Sequence, residues 1–246
     1  MPAAKASKEE LQRDIYELGL TPKEIMLKYG YKDYNSFWAA TKRRGIEYPH
    51  YAVGAAHLNP DQRQLLLGTL LGDGSLIHQN GRNCSFRVSH CFAQGSLLQM
   101  KADILGPWVA PAGIREELHL GKIQMMFTTY THPDFTELYH LFYPEGKKIV
   151  PKIIPDELRP LGLAVWFMDD GSHMTKKRGI RFHVAGFSEE DCWTLISLLS
   201  RWDVKAHLGK TSGGYRVLNV YGDESAQFCK LVEPFIVPAL RYKLDV

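Results

Sequence analysis

The chain reads as an α+β fold in which one unit is repeated in tandem behind a short helical segment. Two almost wholly apolar helical stretches, residues 60–71 and 161–168, each run into an acidic residue followed by glycine, at Asp73-Gly74 and Asp170-Gly171. After each, strands and helices recur in the same order at an offset of roughly 90 residues, and the two aspartates themselves are 97 positions apart. Residues are not repeated; element order is, and that is how a duplicated structural unit shows itself.

Residues 8–46 predict three short helices. Leu11, Ile15 and Leu18 recur at helical spacing, and Gly19 stops the run. Thr21-Pro22-Lys23-Glu24 combines an N-cap, a first-turn proline and a capping-box acid; Ile25, Met26 and Tyr29 form the buried side, and Gly30 ends the helix. The third helix covers 35–44, with Phe37, Trp38 and Ala40 inward and Lys42, Arg43 and Arg44 at its end. Two helices joined by a short turn, the second one basic, fit a helix-turn-helix pattern. Residues 1–50 are therefore expected to be a helical module that touches DNA through Lys42, Arg43 and Arg44.

The first repeat occupies 58–150. Asn59-Pro60-Asp61-Gln62 opens its apolar helix with a cap, a proline and a capping-box glutamine. A strand at 85–90, a helix at 96–105, a hairpin at 114–129 turning near Gly121, and a helix at 133–142 complete it. A proline-punctuated stretch, 151–160, leads into the second repeat, 151–246. There the apolar helix at 161–168 is followed by a strand at 180–185 and a helix at 188–202. A hairpin at 204–221 turns at Ser212-Gly213-Gly214, and a helix spans 224–235.

A helix that is apolar all round must be buried on most sides. Gly68 and Gly72 strip one face of the first helix, so another helix backbone can approach it; in the second helix only Ala164 is read as comparably small, which predicts an asymmetric interface. Packing the two helices together sets their C-termini side by side. Asp73 and Asp170 then lie close together, beside the unpaired carbonyls and partial negative charge of two helix ends. Carboxylates plus carbonyl oxygens suit a hard cation, Mg²⁺ rather than zinc. A single Asp-Gly after a helix is most often a plain turn; two, at matching positions of a repeat, favour function.

Composition narrows the class. The 246 residues are 45% hydrophobic and 23% charged, with a formal charge of +3, which permits an anionic partner without demanding one. No run of 18 apolar residues predicts a membrane span, and the first residues lack the apolar segment of a secretory signal. Cys84, Cys91, Cys192 and Cys229 show no paired ligand spacing and read as reduced thiols. The expected setting is intracellular, cytoplasmic or organellar, and not secreted.

Strand alternation adds a surface. Ser85, Arg87 and Ser89 share one face against Phe86 and Val88; Arg181 and His183 oppose Phe182 and Val184. Lys122, Gln124 and Thr128 alternate with Ile123, Met125 and Phe127, and Lys205 and His207 behave similarly. A helix-backed sheet with such an outer face suits readout of a DNA groove, so Arg87, Ser89, Lys122, Gln124, Arg181, His183, Lys205 and His207 are the expected DNA contacts. Any antiparallel sheet with one wet face alternates in this way.

The segments Leu66-Leu-Gly-Thr-Leu-Leu-Gly-Asp-Gly74 and Leu163-Ala-Val-Trp-Phe-Met-Asp-Asp-Gly171 resemble the paired motifs of the LAGLIDADG homing endonucleases, in the single-chain, intron-encoded branch. Val165 departs from the usual glycine. Lys147-Lys148-Ile-Val-Pro151 and Pro234-Phe-Ile-Val-Pro-Ala-Leu-Arg-Tyr-Lys243-Leu look like that branch too, and the resemblance covers about residues 58–246. It implies an αββαββα unit used twice, with the motif helices as the central interface and two antiparallel sheets as a DNA saddle. It further implies that Asp73 and Asp170 bind Mg²⁺ or Mn²⁺ with the carbonyls of Gly72 and Asp169, and that Lys148 and Lys243 are the basic residues of the active site, one per half. The implied activity is cleavage of double-stranded DNA by a monomer, one phosphodiester per strand, at a long asymmetric site. An intron maturase, with host intron RNA as partner, and a non-catalytic DNA-binding regulator are the alternatives on the same fold.

Overall fold

The computed structural model describes residues 6–18, 20, 22–46, 57–78, 83–119, 121–174 and 178–244. The first helix, α1 (Lys8–Gln12), starts where Ser7 Oγ accepts from Glu10 N and the Glu10 carboxylate accepts from Ser7 N. It widens into one π turn over Arg13–Glu17. That extra residue per turn rotates the next position off the apolar face, and Leu18, expected inward, is instead exposed. Then come α2 (Pro22–Tyr29) and α3 (Tyr34–Arg43), the latter capped by Asp33. Leu11, Ile15, Ile25 and Phe37 join Ala6 and Ile46 in a small core of their own, and the Asp14 carboxylate beside it is held by Lys28 and Tyr29. The expected stop at Gly19 and cap at Thr21 lie outside the described residues.

Next come α4 (Pro60–Leu71), β1 (Ser75–His78), β2 (Cys84–Cys91), α5 (Gly95–Leu105), β3 (Arg115–His119), β4 (Lys122–Thr128) and α6 (Pro133–Phe142). A short helix, α7 (Ile154–Glu157), connects to α8 (Pro160–Asp170), β5 (Gly171–His173), β6 (Gly179–His183), α9 (Glu189–Ser200), β7 (Ala206–Lys210), β8 (Arg216–Tyr221) and α10 (Gly222–Val232). The two sheets are antiparallel and have the same order, β1-β2-β4-β3 and β5-β6-β8-β7. The architecture is thus the mixed α+β, pseudo-two-fold αββαββα pair. Periodicity alone found neither β1 nor β5, because strands of four and three residues are too short to alternate legibly.

One core spans both halves, and α4 against α8 is its axis. A Cβ placed on Gly68 would sit 2.2 Å from the Gly162 carbonyl oxygen and 3.0 Å from Val165 Cβ, so only glycine allows this approach. The close partner is therefore Gly162 and not Ala164, which corrects the sequence reading. The cap of α4 is as expected: Asn59 Oδ1 accepts from Gln62 N at 2.9 Å, and Gln62 Oε1 accepts from Asn59 N at 3.0 Å. Gln64 ties α4 to the inter-repeat segment, donating to Glu157 O at 2.9 Å and accepting from Arg159 N at 2.7 Å.

Candidate active site between the motif helices

The two helices end differently. α4 stops at Leu71, and the amides of Gly72 and Gly74 both fold back onto Thr69 O. α8 runs two residues further, through Asp169 and Asp170. Asp73 consequently lies beyond its helix and its amide lacks a helical acceptor; the Asp169 carboxylate takes that role, accepting from Asp73 N at 3.3 Å. Gly72 makes the room, since a Cβ there would meet Asp169 Cβ at 2.6 Å.

Asp73, Asp169 and Asp170 sit close enough to feel one another. Burial first, and the neighbouring Asp169 charge second, raise the Asp73 carboxyl above the usual range. Burial, then Asp73 and Asp169, push Asp170 up to about 8. The Asp169 side chain is fully buried and its pKa is also raised, chiefly by desolvation.

Two lysines enter from outside the motifs. Lys148 Nζ donates to Gly72 O at 3.0 Å and to Gly74 O at 2.8 Å. Burial brings its pKa down to about 8 against the pull of Asp170, Asp169 and Asp73. Lys243, itself buried, donates to Met168 O at 2.6 Å, and desolvation lowers its pKa while the same three acids oppose the shift. Each lysine thus neutralises helix-end carbonyls and faces the acids. Asp170 and Lys148 border a cavity of about 350 Å³ that is also lined by Gly72, His183, Val184 and Phe187.

On the Asp73 side the arrangement is different, and two of its residues escaped the sequence reading. Lys101, wholly buried on α5, places Nζ 2.6 Å from Asp169 Oδ1 and 3.1 Å from His90 Nε2. His90, buried on β2, presents Nδ1 3.4 Å from Asp73 Oδ2. Asp73, His90 and Asp169 have ligand atoms within 4.8 Å of one another, yet the Lys101 ammonium already supplies positive charge at Asp169. The signal was present in the sequence. His90 follows Phe86 and Val88 on the apolar phase of its strand, and Lys101 follows Leu97 and Leu98 at helical spacing.

The expected DNA contacts fall on the faces the alternation gave. Register pairs Arg87 with Thr128, Cys91 with Gln124 and Glu117 with Gln124, so Arg87, Ser89, Gln124 and Lys122 share the open face of the first sheet. That face is less purely basic than read, because the Arg87 guanidinium is paired with Glu117. In the second sheet Arg181 and His207 share a face with Asn219, and Arg181 Nε donates to Asn219 Oδ1 at 2.9 Å. His183 and Lys205 are exposed. Lys42 and Arg43 are exposed at the end of α3; Arg43 and Arg44 donate to Ala39 O and Ala40 O, which caps their own helix. Of these positions, His183 lines the cavity beside Asp170 and Lys148.

The fold has known counterparts. The profile described as the LAGLIDADG DNA endonuclease family matches residues 63–228. The chain is 32% identical over 204 residues to a protein named Protein RecA from Mycolicibacterium chitae, covering 76% of this chain and 47% of that one; the chain spans about half the length of such relatives. It is 26% identical over 240 residues to "Probable intron-encoded endonuclease 1" of Wickerhamomyces canadensis, covering 92% and 93% of the two chains. It is also 35% identical over 129 residues to the cytochrome b mRNA maturase bI2 of Debaryomyces hansenii, covering 50% and 48%. Among solved structures, the homing endonuclease I-WcaI bound to its DNA recognition sequence shares the fold, with a TM-score of 0.71 and 22% identity over 92% of this chain and 98% of that one. With two helix-end motifs facing each other beneath two matching sheets, and with two thirds of its length matched by the family profile, the chain belongs to the LAGLIDADG DNA endonuclease family.

Proposed function

We propose that the chain is a sequence-specific, divalent-metal-dependent endonuclease that cuts double-stranded DNA, one phosphodiester per strand, at a long asymmetric site. One observation carries the reading: Asp73 and Asp170, at pseudo-symmetric helix ends, each feel the charge of a lysine from outside the motifs, half-buried Lys148 and buried Lys243.

The donor set fits a hard divalent cation. Three carboxylates crowd a partly desolvated space in which burial raises all three and neighbouring charge adds to the shift at Asp73 and Asp170, so ionising them together calls for a cation to neutralise the charge. Asp73 and Asp170 would hold it, with the helix-end carbonyls of Gly72 and Asp169 as further oxygen donors. When bound, Mg²⁺ or Mn²⁺ supplies charge neutralisation and Lewis-acid polarisation at the scissile phosphate. Lys148 and Lys243 place ammonium groups where charge builds on the phosphate during attack. The open sheet faces read the duplex: Arg87 and Arg181 are the longest donors near the paired helices, and Lys122, Gln124, His183, Lys205 and His207 extend the contact outward. Both acids come from one chain, so a monomer suffices. Residues 1–50 add contacts beyond the saddle.

Selection of cleaved duplexes from a randomised DNA library in Mg²⁺, beside an EDTA control, tests this. A single long consensus that disappears with the chelator is the expected result; no enriched site, or cutting in EDTA, contradicts it. A second reading, an RNA-binding maturase, is favoured by the likeness to the D. hansenii maturase. RNA binding needs no helix-end carboxylates, so a splicing function untouched by Asp73→Asn would support it.

A further inference from the structure

The two centres differ in a way that substitutes three positions together. Register makes the halves comparable: Ser75 pairs with Arg87 and Ser172 with Arg181, so β2 maps onto β6 and His90 onto Val184. The helices α5 and α9 start at Gly95 and Glu189, and their buried positions coincide in the same offset, which sets Lys101 opposite Leu195. Motif position sets Asp169 opposite Gly72. The Asp73 centre therefore has His90 and Lys101 from the first half and Asp169 from the second, all with buried side chains, where the Asp170 centre has Val184 and Leu195 from the second half and Gly72 from the first. At the Asp170 centre the corresponding space is the cavity bordered by Gly72 and Val184. At the Asp73 centre it is filled.

The filled side forms a directed chain of donors. The Lys101 ammonium has no lone pair and donates to both Asp169 Oδ1 and His90 Nε2. With Nε2 accepting, the imidazole proton resides on Nδ1 and faces Asp73 Oδ2. Asp169 in turn accepts the Asp73 amide. Side chain and backbone of Asp73 are thus both held by the cluster. Asp170 needs no such support, because its backbone belongs to α8.

Resting on the endonuclease reading above, we propose that Lys101, His90 and Asp169 are positioning residues for the Asp73 centre alone, so that the two strand cuts depend on different parts of the molecule. Removing outer partners of a metal-site ligand costs about 10–100-fold, here on one strand.

The test is strand-resolved cleavage of a supercoiled plasmid carrying a site selected from the randomised library. His90→Val leaves the Lys101–Asp169 pair intact. It is expected to slow one strand by about tenfold or more with the other within about twofold, so that nicked plasmid accumulates; His90→Asn, which keeps a donor at the Nδ1 position, restores the balance. Lys101→Met strands the Asp169 charge, so the triple change His90→Val, Lys101→Leu, Asp169→Gly, which installs the residues of the Asp170 centre, provides a folded comparison. It is expected to keep the melting temperature of the metal-free protein near the parent's and DNA affinity in Ca²⁺ unchanged, while showing the same one-strand defect. Lys101→Met alone is expected to lower the melting temperature by roughly 5 °C or more. Equal slowing of both strands, or of neither, overturns the proposal and leaves the endonuclease reading standing. A parent chain that cuts no library site overturns both.

Discussion

Arg87 and Arg181 stand at matching positions of the two sheets, each paired across its edge strand with the serine that comes after a motif's Asp-Gly, Ser75 for Arg87 and Ser172 for Arg181. Their supports differ: Glu117 binds the first guanidinium and Asn219 the second. A carboxylate and an amide hold the fork in place with different charge, so under the proposed function the two half-sites are expected to be read with different strength even where the same base is offered. Arg87→Ala and Arg181→Ala are each expected to cost about 1–3 kcal/mol in DNA binding and to relax base preference at pseudo-symmetric positions. Binding profiles over a mutated site series measure this. Uniform weakening at all positions would mark the arginines as phosphate contacts.

The approach of Gly68 to Gly162 sets the distance between the two acids. Gly68→Val puts carbon where the Gly162 carbonyl oxygen already lies, and backbone cannot rotate away as a side chain would. Such overpacking is expected to cost about 3 kcal/mol, or roughly 6 °C or more in melting temperature for a chain of this size. Calorimetry on the purified variant checks it. Gly45→Ala is a useful contrast, since that glycine meets nothing within 4 Å and has a φ of +61°; its cost is conformational strain alone.

Acid crowding makes stability depend on pH. Asp170 keeps its proton in the folded chain up to about pH 8, against an ordinary value of 3.8. Between those values the folded state holds more protons than the unfolded one, so stability falls as pH rises. His90, lowered to about 4, has the opposite sign but acts only up to 6.5, and Lys148, lowered to about 8, acts only above that value. The window from about pH 6.5 to 8 therefore excludes His90 and Lys148 and leaves the raised acids, Asp170 foremost, with Asp73 and Asp169 acting in the same direction. In EDTA the melting temperature is expected to fall across it, and Asp170→Asn or saturating Mg²⁺ to flatten the slope. An unchanged slope in Asp170→Asn would place the titration elsewhere.

Much of this was legible in the sequence, for a physical reason. Long apolar helices, the Asn59–Gln62 capping box and the glycine-marked turn at Gly121 are local signals, and the structure has each of them. The helix-end acids stood out because a carboxylate closing an apolar helix twice has no packing purpose. What stayed hidden depends on partners remote in sequence. Gly162 matters only because Gly68 meets it, and the π turn that exposes Leu18 leaves no periodic mark. His90 and Lys101 did break the apolar phase of their elements, but a lone polar residue there is ordinarily an irregularity; Asp169, contributed by the other half, makes them a cluster.

The N-terminal helices have a core separate from the main one, so their removal should leave the saddle folded. Deleting residues 1–50 is expected to weaken DNA binding and shorten the footprint, with cleavage at the same phosphates. An unchanged footprint would make the module structural.

The most direct test of the paired-carboxylate centre is cleavage by Asp73→Asn and Asp170→Asn on a selected site in Mg²⁺, with DNA affinity measured in parallel in Ca²⁺. Each substitution keeps shape and removes one charge. Double-strand cutting is expected to be lost in both variants while binding stays measurable. Undiminished cutting by either one would contradict the assignment of the two helix-end aspartates as the catalytic acids.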